Sequence, residues 1–392
     1  SIQLILKKQG VDNPTFSQID DWFNNNMAPN VIDFNDQSVY ENVYHAGRWA
    51  GIFQCTQHGS QRLFKTAQPR SIIDIATLTA IYRPGPLGAN VHKIYIKNKQ
   101  NPEGIDYKHP LIRQVLEETY GCIIFQEQVM QLCNQGAGIP KADCNKIRKM
   151  MKPVLGGSKE LLDNARALRE RFVSGATKNG IGSDTAESLY DDIMKFASYG
   201  FNKSHAVSYS IISFQCAWLW NYYPAEWMAA FLDKEPESRK EKAINVAKQY
   251  GFDIAPLDIN KSGTVWEISD DAKTLIQPLT SIKGLGMAAI EQVLNNRPFM
   301  NAEDLLFRDG ISYSKLNKKA LDVLCRSGAL KSLQDNRFTG AKHFWSSVAV
   351  DRPRKKQHLL DNIKTYAEEG DFSTEERIQY LTDLTGMFPI NL

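Results

Sequence analysis

The sequence predicts a mainly α-helical chain with short β segments, and three observations carry that prediction. Helical periodicity runs from Pro140 to about Asp233, broken only at glycine and proline. Two short apolar runs, "WAGIFQCT" (Trp49 to Thr56) and "GCIIFQEQ" (Gly121 to Gln128), read as β-like or buried segments. Residues 271–335 hold two glycine-turned units, of which the first, "SIKGLGMAAIEQVL", places Gly284 and Gly286 before an amphipathic helix. That is a helix-hairpin-helix pattern.

Taken in order, residues 1–45 read as helix, turn, helix, punctuated by Pro14, Asn24 to Asn26 and Pro29. Residues 46–135 mix short strands and helices, and "RPGPLG" (Arg83 to Gly88) is expected to be a non-helical elbow. The helical stretch after Pro140 breaks at Pro153 to Gly157, at Lys178 to Asp184, at Tyr199-Gly200 and at Pro224. In "YGFNKSHAVSYSIISFQCAWLW" the spacing of Val207, Ile211, Phe214 and Trp218 predicts the buried face of a helix capped by Asn202 or Ser204. Residues 234–270 read as a helix and then an extended piece ending in "TVWEISDD". The second hairpin unit, "KKALDVLCRSGALKSL", turns at Ser327-Gly328-Ala329 and is the weaker of the two. After Asp335 the chain is polar, basic and then acidic.

Composition sets the bounds. The 392 residues suffice for two or three domains, and 42% apolar with 23% charged residues is ordinary for a globular protein. No run of about 18 apolar residues occurs, so no membrane span is expected. Six scattered cysteines without a CxxC pair fit buried, reduced thiols in a cytosolic protein better than a zinc site or a disulfide framework. Net charge is only +3, yet "KIYIKNK", "KADCNKIRKMMK" and "DRPRKK" concentrate cations, for which a polyanion is the natural partner.

Four constellations carry chemistry. Lys203, His205 and Tyr209 sit at a helix start, offering a cation for phosphate, an imidazole donor and a ring for stacking. The same residues also suit a plain capped core helix. Lys141, Asn145, Arg148, Lys149 and Lys152 fall at helical intervals, and Arg148 with Lys149 suits a triphosphate. A solvent-facing basic helix is the alternative there. Arg83 stands before a rigid Pro-Gly-Pro, a fixed presentation suited to phosphate, although a plain turn is the alternative. Lys283, Gly284 and Gly286 let backbone amides and a charge approach DNA phosphates. By contrast, no Asp-x-Asp pair appears on a plausible buried strand, and surface charge accounts for Asp191-Asp192 and Asp270-Asp271.

With these residues in hand, the chain resembles the bacterial C-family replicative DNA polymerase, the alpha subunit of DNA polymerase III. The landmarks stand in family order: "GIFQCTQHGSQRL", "LTAIYRPGPLG", "TYGCIIFQEQVMQL", "IRKMMK", "KFASYGFNKSHAVSYSIISFQCAWLWNYYPAEWMAAFL", "IAPLDIN" and "SIKGLG". The resemblance implies the end of a palm over 1–45, fingers over 46–260, a tandem helix-hairpin-helix domain over 261–335 and a linker over 336–392. It implies that Arg148, Lys149, Lys203, His205, Tyr209 and Arg83 face the incoming dNTP, and that Lys283, Gly284, Gly286 and Lys152 face DNA. It places the catalytic aspartates and their Mg2+ on a palm upstream of Ser1. Implied partners are that palm segment, primer-template DNA, dNTPs and a sliding clamp, although "QHLLD" (Gln357 to Asp361) is a poor clamp-binding peptide. The start at Ser1 suits either splicing of an intein or a split gene, in a phage or another unusual replicon. A non-catalytic DNA-binding protein that keeps only the hairpins is the rival reading.

Overall fold

The protein, a computed structural model, is described over residues 1–144, 159–196 and 200–386, with side chains of the second segment described from residue 166. Arg148, Lys149 and Lys152 lie outside the described residues. Helices dominate, and the described strands form one three-stranded sheet. The chain divides into two compact units, Asp21–Tyr222 on one hand and Ser1–Asp20 with Tyr223–Leu392 on the other. This division differs from the expected boundaries at 45, 260 and 335.

In the unit Asp21–Tyr222, the long helix Lys203–Tyr222 packs against the helix Ile72–Ile81 and the π-helical turn Tyr40–His45. Its deepest face is not the expected one. Phe214 is buried, but Val207, Ile211 and Trp218 are only half-buried, whereas Ala206, Ser210, Ser213 and Ala217 are fully enclosed. The opposing wall explains this: Tyr40, Tyr44 and the almost wholly buried helix Ile72–Ile81 supply the bulk, so small residues fill what remains. The serines are satisfied, Ser210 by the Ala206 carbonyl at 2.8 Å and Ser213 by the Tyr44 hydroxyl at 2.9 Å.

The same unit holds a buried charge pair. Asp74 receives the Lys99 ammonium at 2.7 Å, the Tyr95 hydroxyl at 2.7 Å and the Arg70 amide at 2.8 Å, which ties Ile72–Ile81 to the helix Val91–Gln100. A hairpin of helices Lys159–Lys178 and Ser183–Phe196, turned at Gly180 with φ +84°, closes over Phe172, Tyr190 and Ile193.

Arg83 to Gly88 corrects the expected elbow. Pro84–Gly88 is a short helix with Arg83 as its N-cap residue, and the Leu87 amide bonds the Arg83 carbonyl at 3.0 Å. Both prolines fall among the first helical positions, whose amides need no intrahelical acceptor, so neither ring disturbs the turn. The β-like run at Gly121 forms a single parallel bridge, Phe125 to Phe201, and the run at Trp49 forms loops about buried Ile52 and Cys55.

In the other unit, β1 (Asp253–Ala255) pairs parallel with β3 (Thr274–Ile276), and β2 (Glu267–Ile268) pairs antiparallel with β3. The hairpins share one core with the residues expected to be a linker. Phe338, Phe344, Val348, Leu359 and Leu384 pack with Ile290, Val293, Leu321 and Leu324. Residues 336–386 are therefore folded structure. The Gln357 to Asp361 stretch lies inside the helix Lys356–Thr365 with Leu359 wholly buried, so it does not present an extended peptide. All six cysteines are free thiols, five of them buried. Among the described residues no helix is long and apolar enough to cross a membrane.

Candidate functional site

The start of the helix Lys203–Tyr222 is held by the segment just after Gly121. The Phe201 amide bonds the Ile124 carbonyl at 3.3 Å, and the Gln126 amide bonds the Phe201 carbonyl at 2.8 Å. The Gln126 side chain reaches the Gly200 carbonyl at 3.0 Å. Glu127 then receives the Asn202 side-chain amide at 2.7 Å on one oxygen and the Lys203 backbone amide at 2.9 Å on the other. Asn202 caps the helix by accepting from the His205 amide at 2.8 Å. A carboxylate at a helix N-terminus also suits the positive end of its dipole. The Lys203 ammonium meets both oxygens of Glu118 at 2.7 Å and lies 5.9 Å from the Phe125 ring centre.

Beside this anchor runs a row of rings in tilted contact. The Arg83 guanidinium lies 4.2 Å over the Phe201 ring, a cation–π contact, while its Nε donates to the Ala80 carbonyl at 2.9 Å. Phe201 is 5.5 Å from His205, His205 is 4.1 Å from Tyr209, and Tyr209 is 5.2 Å from Phe53, all tilted. His205 is exposed, and Arg83 and Tyr209 are half-buried. Burial pulls the Arg83 guanidinium below its ordinary value. Arg83 also lines a cleft of about 430 Å³ with Gln54, Thr56, Gln57, Ser60 and Tyr82. That lining is cationic at one place and otherwise rich in uncharged hydrogen-bonding groups.

Arg83, expected from a separate motif, therefore lies at the same helix start as Lys203, His205 and Tyr209. Sequence reasoning missed Phe201, Phe53, Glu118 and Glu127. The two phenylalanines stand inside quoted motifs, "YGFNK" and "GIFQ", where an aromatic beside polar tips was the available signal. The glutamates carry no local signal, because their partners lie 76 and 85 positions away.

The first hairpin runs from the turn Leu279–Ser281 through Ile282 to Gly286 and into the helix Met287–Asn296. Gly284 has φ +86°, a left-handed conformation that favours glycine. Gly286 is the extended N-cap residue, and a Cβ there would meet nothing within 4 Å. Its missing side chain leaves open surface over the first amides of the helix. Lys283 is exposed at its side chain, and its backbone amide donates to the Leu384 carbonyl at 2.8 Å. A Cβ on Gly284 would lie 3.7 Å from Lys319 and Val323, so the first hairpin abuts the helix Lys318–Arg326 of the second. The second turn has Gly328 at φ +79° and leads only into the short 3-10 turn Lys331–Leu333. The pair is thus unequal, as the sequence predicts.

The acidic pairs have structural partners. Asp191 holds Arg169 at 2.7 Å, Asp192 holds Lys195 at 3.2 Å, and Asp271 accepts from the Lys273 and Thr274 amides at 2.8 Å. Among the described residues no group of three or more His, Cys, Asp or Glu side chains is placed to hold a metal ion.

Comparison with known proteins gives this geometry its setting. The bacterial DNA polymerase III alpha subunit finger domain matches residues 13–180, and a helix-hairpin-helix motif matches residues 251–340. The DNA polymerase III subunit alpha of Chlamydia muridarum is 33% identical over 313 residues, covering 78% of this chain and 24% of that protein. The namesake from Campylobacter jejuni is 34% identical over 347 residues, covering 84% and 28%. That of Chlamydia pneumoniae is 31% identical over 375 residues, covering 93% and 29%. The chain thus spans about a quarter of the length of the curated relatives it matches. It belongs to the family of bacterial DNA polymerase III alpha subunits, of which it carries the finger and helix-hairpin-helix portion.

Proposed function

We propose that this chain grips the incoming dNTP and the primer-template duplex during template-directed DNA synthesis. The reaction is attack of a primer 3′-hydroxyl on the α-phosphorus of a deoxynucleoside triphosphate, with pyrophosphate leaving. The observation that supports this reading is the run of contacts Arg83, Phe201, His205, Tyr209, with Lys203 at the same helix start. Cations suit the triphosphate, and an imidazole and a phenol ring suit the face of the forming base pair. Arg148 and Lys149 belong to the same proposed grip. The contribution is positioning: a held triphosphate and a stacked base bring the reacting atoms into line. Catalytic aspartates and Mg2+ are assigned to a palm segment outside this chain.

The ring contact gives the direct test. In primer extension with the palm-bearing polypeptide supplied, Tyr209→Ala removes one stacking face, worth about 1–3 kcal/mol, or about 5- to 150-fold in kcat/KM for nucleotide. Affinity for primed DNA without nucleotide should stay near wild type. Arg148→Ala should likewise raise the KM for nucleotide far more than it weakens DNA binding. Unchanged nucleotide kinetics in both variants would remove this surface from the nucleotide site. If the paired polypeptides bind DNA yet never extend a primer, the non-catalytic reading replaces this one.

The hairpin is proposed to hold the duplex backbone. Lys283→Ala should lower duplex affinity across all sequences and reduce the salt slope of log Kd by about one. An unchanged slope would place the DNA elsewhere.

A further inference from the structure

We infer that Glu118 is a built-in competitor for the triphosphate: it holds the Lys203 ammonium in a closed pair that an incoming nucleotide has to open. The inference rests on the nucleotide reading of the Lys203 helix and adds a selectivity device to it. Two glutamates meet this helix start, and they do different things. Glu127 is committed to the fold, one oxygen on the Asn202 side chain and the other on the Lys203 backbone amide. Glu118 meets Lys203, with both carboxylate oxygens on the one ammonium at 2.7 Å.

The backbone beneath Glu118 is fixed independently of that pair. It lies in the 3-10 turn Glu117–Thr119, where Thr119 is wholly buried and donates to the Cys122 carbonyl at 2.6 Å. Buried Gln128 donates to the Thr119 hydroxyl at 2.8 Å and accepts from the Ile124 and Phe125 amides at 2.9 and 3.0 Å. The carboxylate is thus delivered to Lys203 by a rigid support, while its removal takes nothing from the core. The two side chains keep 31% and 35% of their surface exposed, so the pair is a weak one that a stronger anion can displace. A triphosphate bears several charges and also engages neighbouring cations. A lone phosphate or a carboxylate metabolite does not, and meets a lysine already neutralised. When pyrophosphate leaves, Glu118 recloses on Lys203 and opposes rebinding.

The test is equilibrium binding of inorganic tripolyphosphate to the full 392-residue chain, by calorimetry, for wild type, Glu118→Gln, Lys203→Ala and the double variant. Glutamine keeps the shape and removes the charge, and circular dichroism checks that each variant is folded. The expected result is about two- to fivefold tighter binding for Glu118→Gln. That gain should vanish in the Lys203→Ala background. Equal or weaker binding by Glu118→Gln overturns the inference, since the pair would then be structural. An equal gain with and without Lys203 also overturns it, because the effect would be bulk charge. If Lys203→Ala itself binds tripolyphosphate like wild type, the nucleotide reading of Lys203 fails, a different failure from that of Glu118.

Discussion

At the scale of single residues, the decisive contacts join segments far apart in the chain. Asp74 is the clearest case: its carboxylate and the Lys99 side chain are 3% and 9% exposed, and Tyr95 and the Arg70 amide complete the carboxylate. Burial pulls the Lys99 ammonium below its ordinary value even though Asp74 opposes the shift. Asp74→Ala would leave a buried cation unpaired, a loss of about 3–5 kcal/mol in unfolding free energy. Chemical denaturation of the chain checks it, and a loss below about 1 kcal/mol would mean that water replaces the carboxylate. His205 and Tyr209 are legible because they stand four apart on one helix face, Lys203 because it adjoins the start of that helix, and Arg83 because its proline-rich setting is distinctive. Phe201, Phe53, Glu118 and Glu127 were not legible, since a stack or an ion pair between distant segments leaves no period in the sequence. Arg148, Lys149 and Lys152 lie outside the described residues, so their convergence with the others stays with the proposal.

Among elements, local rules worked where one face decided the structure and failed where a neighbour did. The hairpin helices Met287–Asn296 and Lys318–Arg326 appear where their amphipathic pattern predicts. Lys203–Tyr222 is a helix as expected, yet its deep face is set by the aromatic wall opposite and not by its own largest residues. Pro84–Gly88 shows the opposite failure: the rule that prolines break helices does not apply, because both sit at positions that tolerate them. The hairpin region also carries a pH signature. Asp304 is held below the usual 3.8 chiefly by Arg308, with help from the Met300 amide. Asp335 is held below it chiefly by Arg337, which also meets Glu303 at 2.6 Å. Because the folded values lie below the unfolded ones, this stability is present above about 3.8 and is lost as pH falls through the folded values. Asp304→Asn should therefore lower the Tm near about pH 5, with the gap to wild type closing towards about pH 2.5. A gap independent of pH would mean that Asp304 acts by shape alone.

For the whole molecule, the main surprise is that the units are not consecutive stretches of chain. Asp21–Tyr222 is continuous, but the hairpin-bearing unit recruits Ser1–Asp20 from the far end of the sequence. The sequence carries no sign of this, because a short amphipathic helix does not disclose which distant surface will cover it. The structure shows the reason: Ile5 and Leu6 of the helix Ile2–Lys8 are 1% and 8% exposed, and the helix packs on Pro224–Lys234. Lys8 reaches Glu226, a carboxylate only 3% exposed, at 3.2 Å, and Lys7 reaches Glu267 at 2.7 Å. Burying two aliphatic side chains is worth about 1.5–3 kcal/mol each. A polypeptide of residues 223–386 should therefore be less stable by about 3–6 kcal/mol than the same unit with its first helix. A synthetic peptide of residues 1–20, added in trans, should restore much of that stability with a saturable dependence on concentration. The paired variant Leu6→Ala in the peptide should restore less. Were the fragment equally stable with and without the peptide, the helix would be a passenger on that surface, and the hairpin lobe would fold from Tyr223 onward alone.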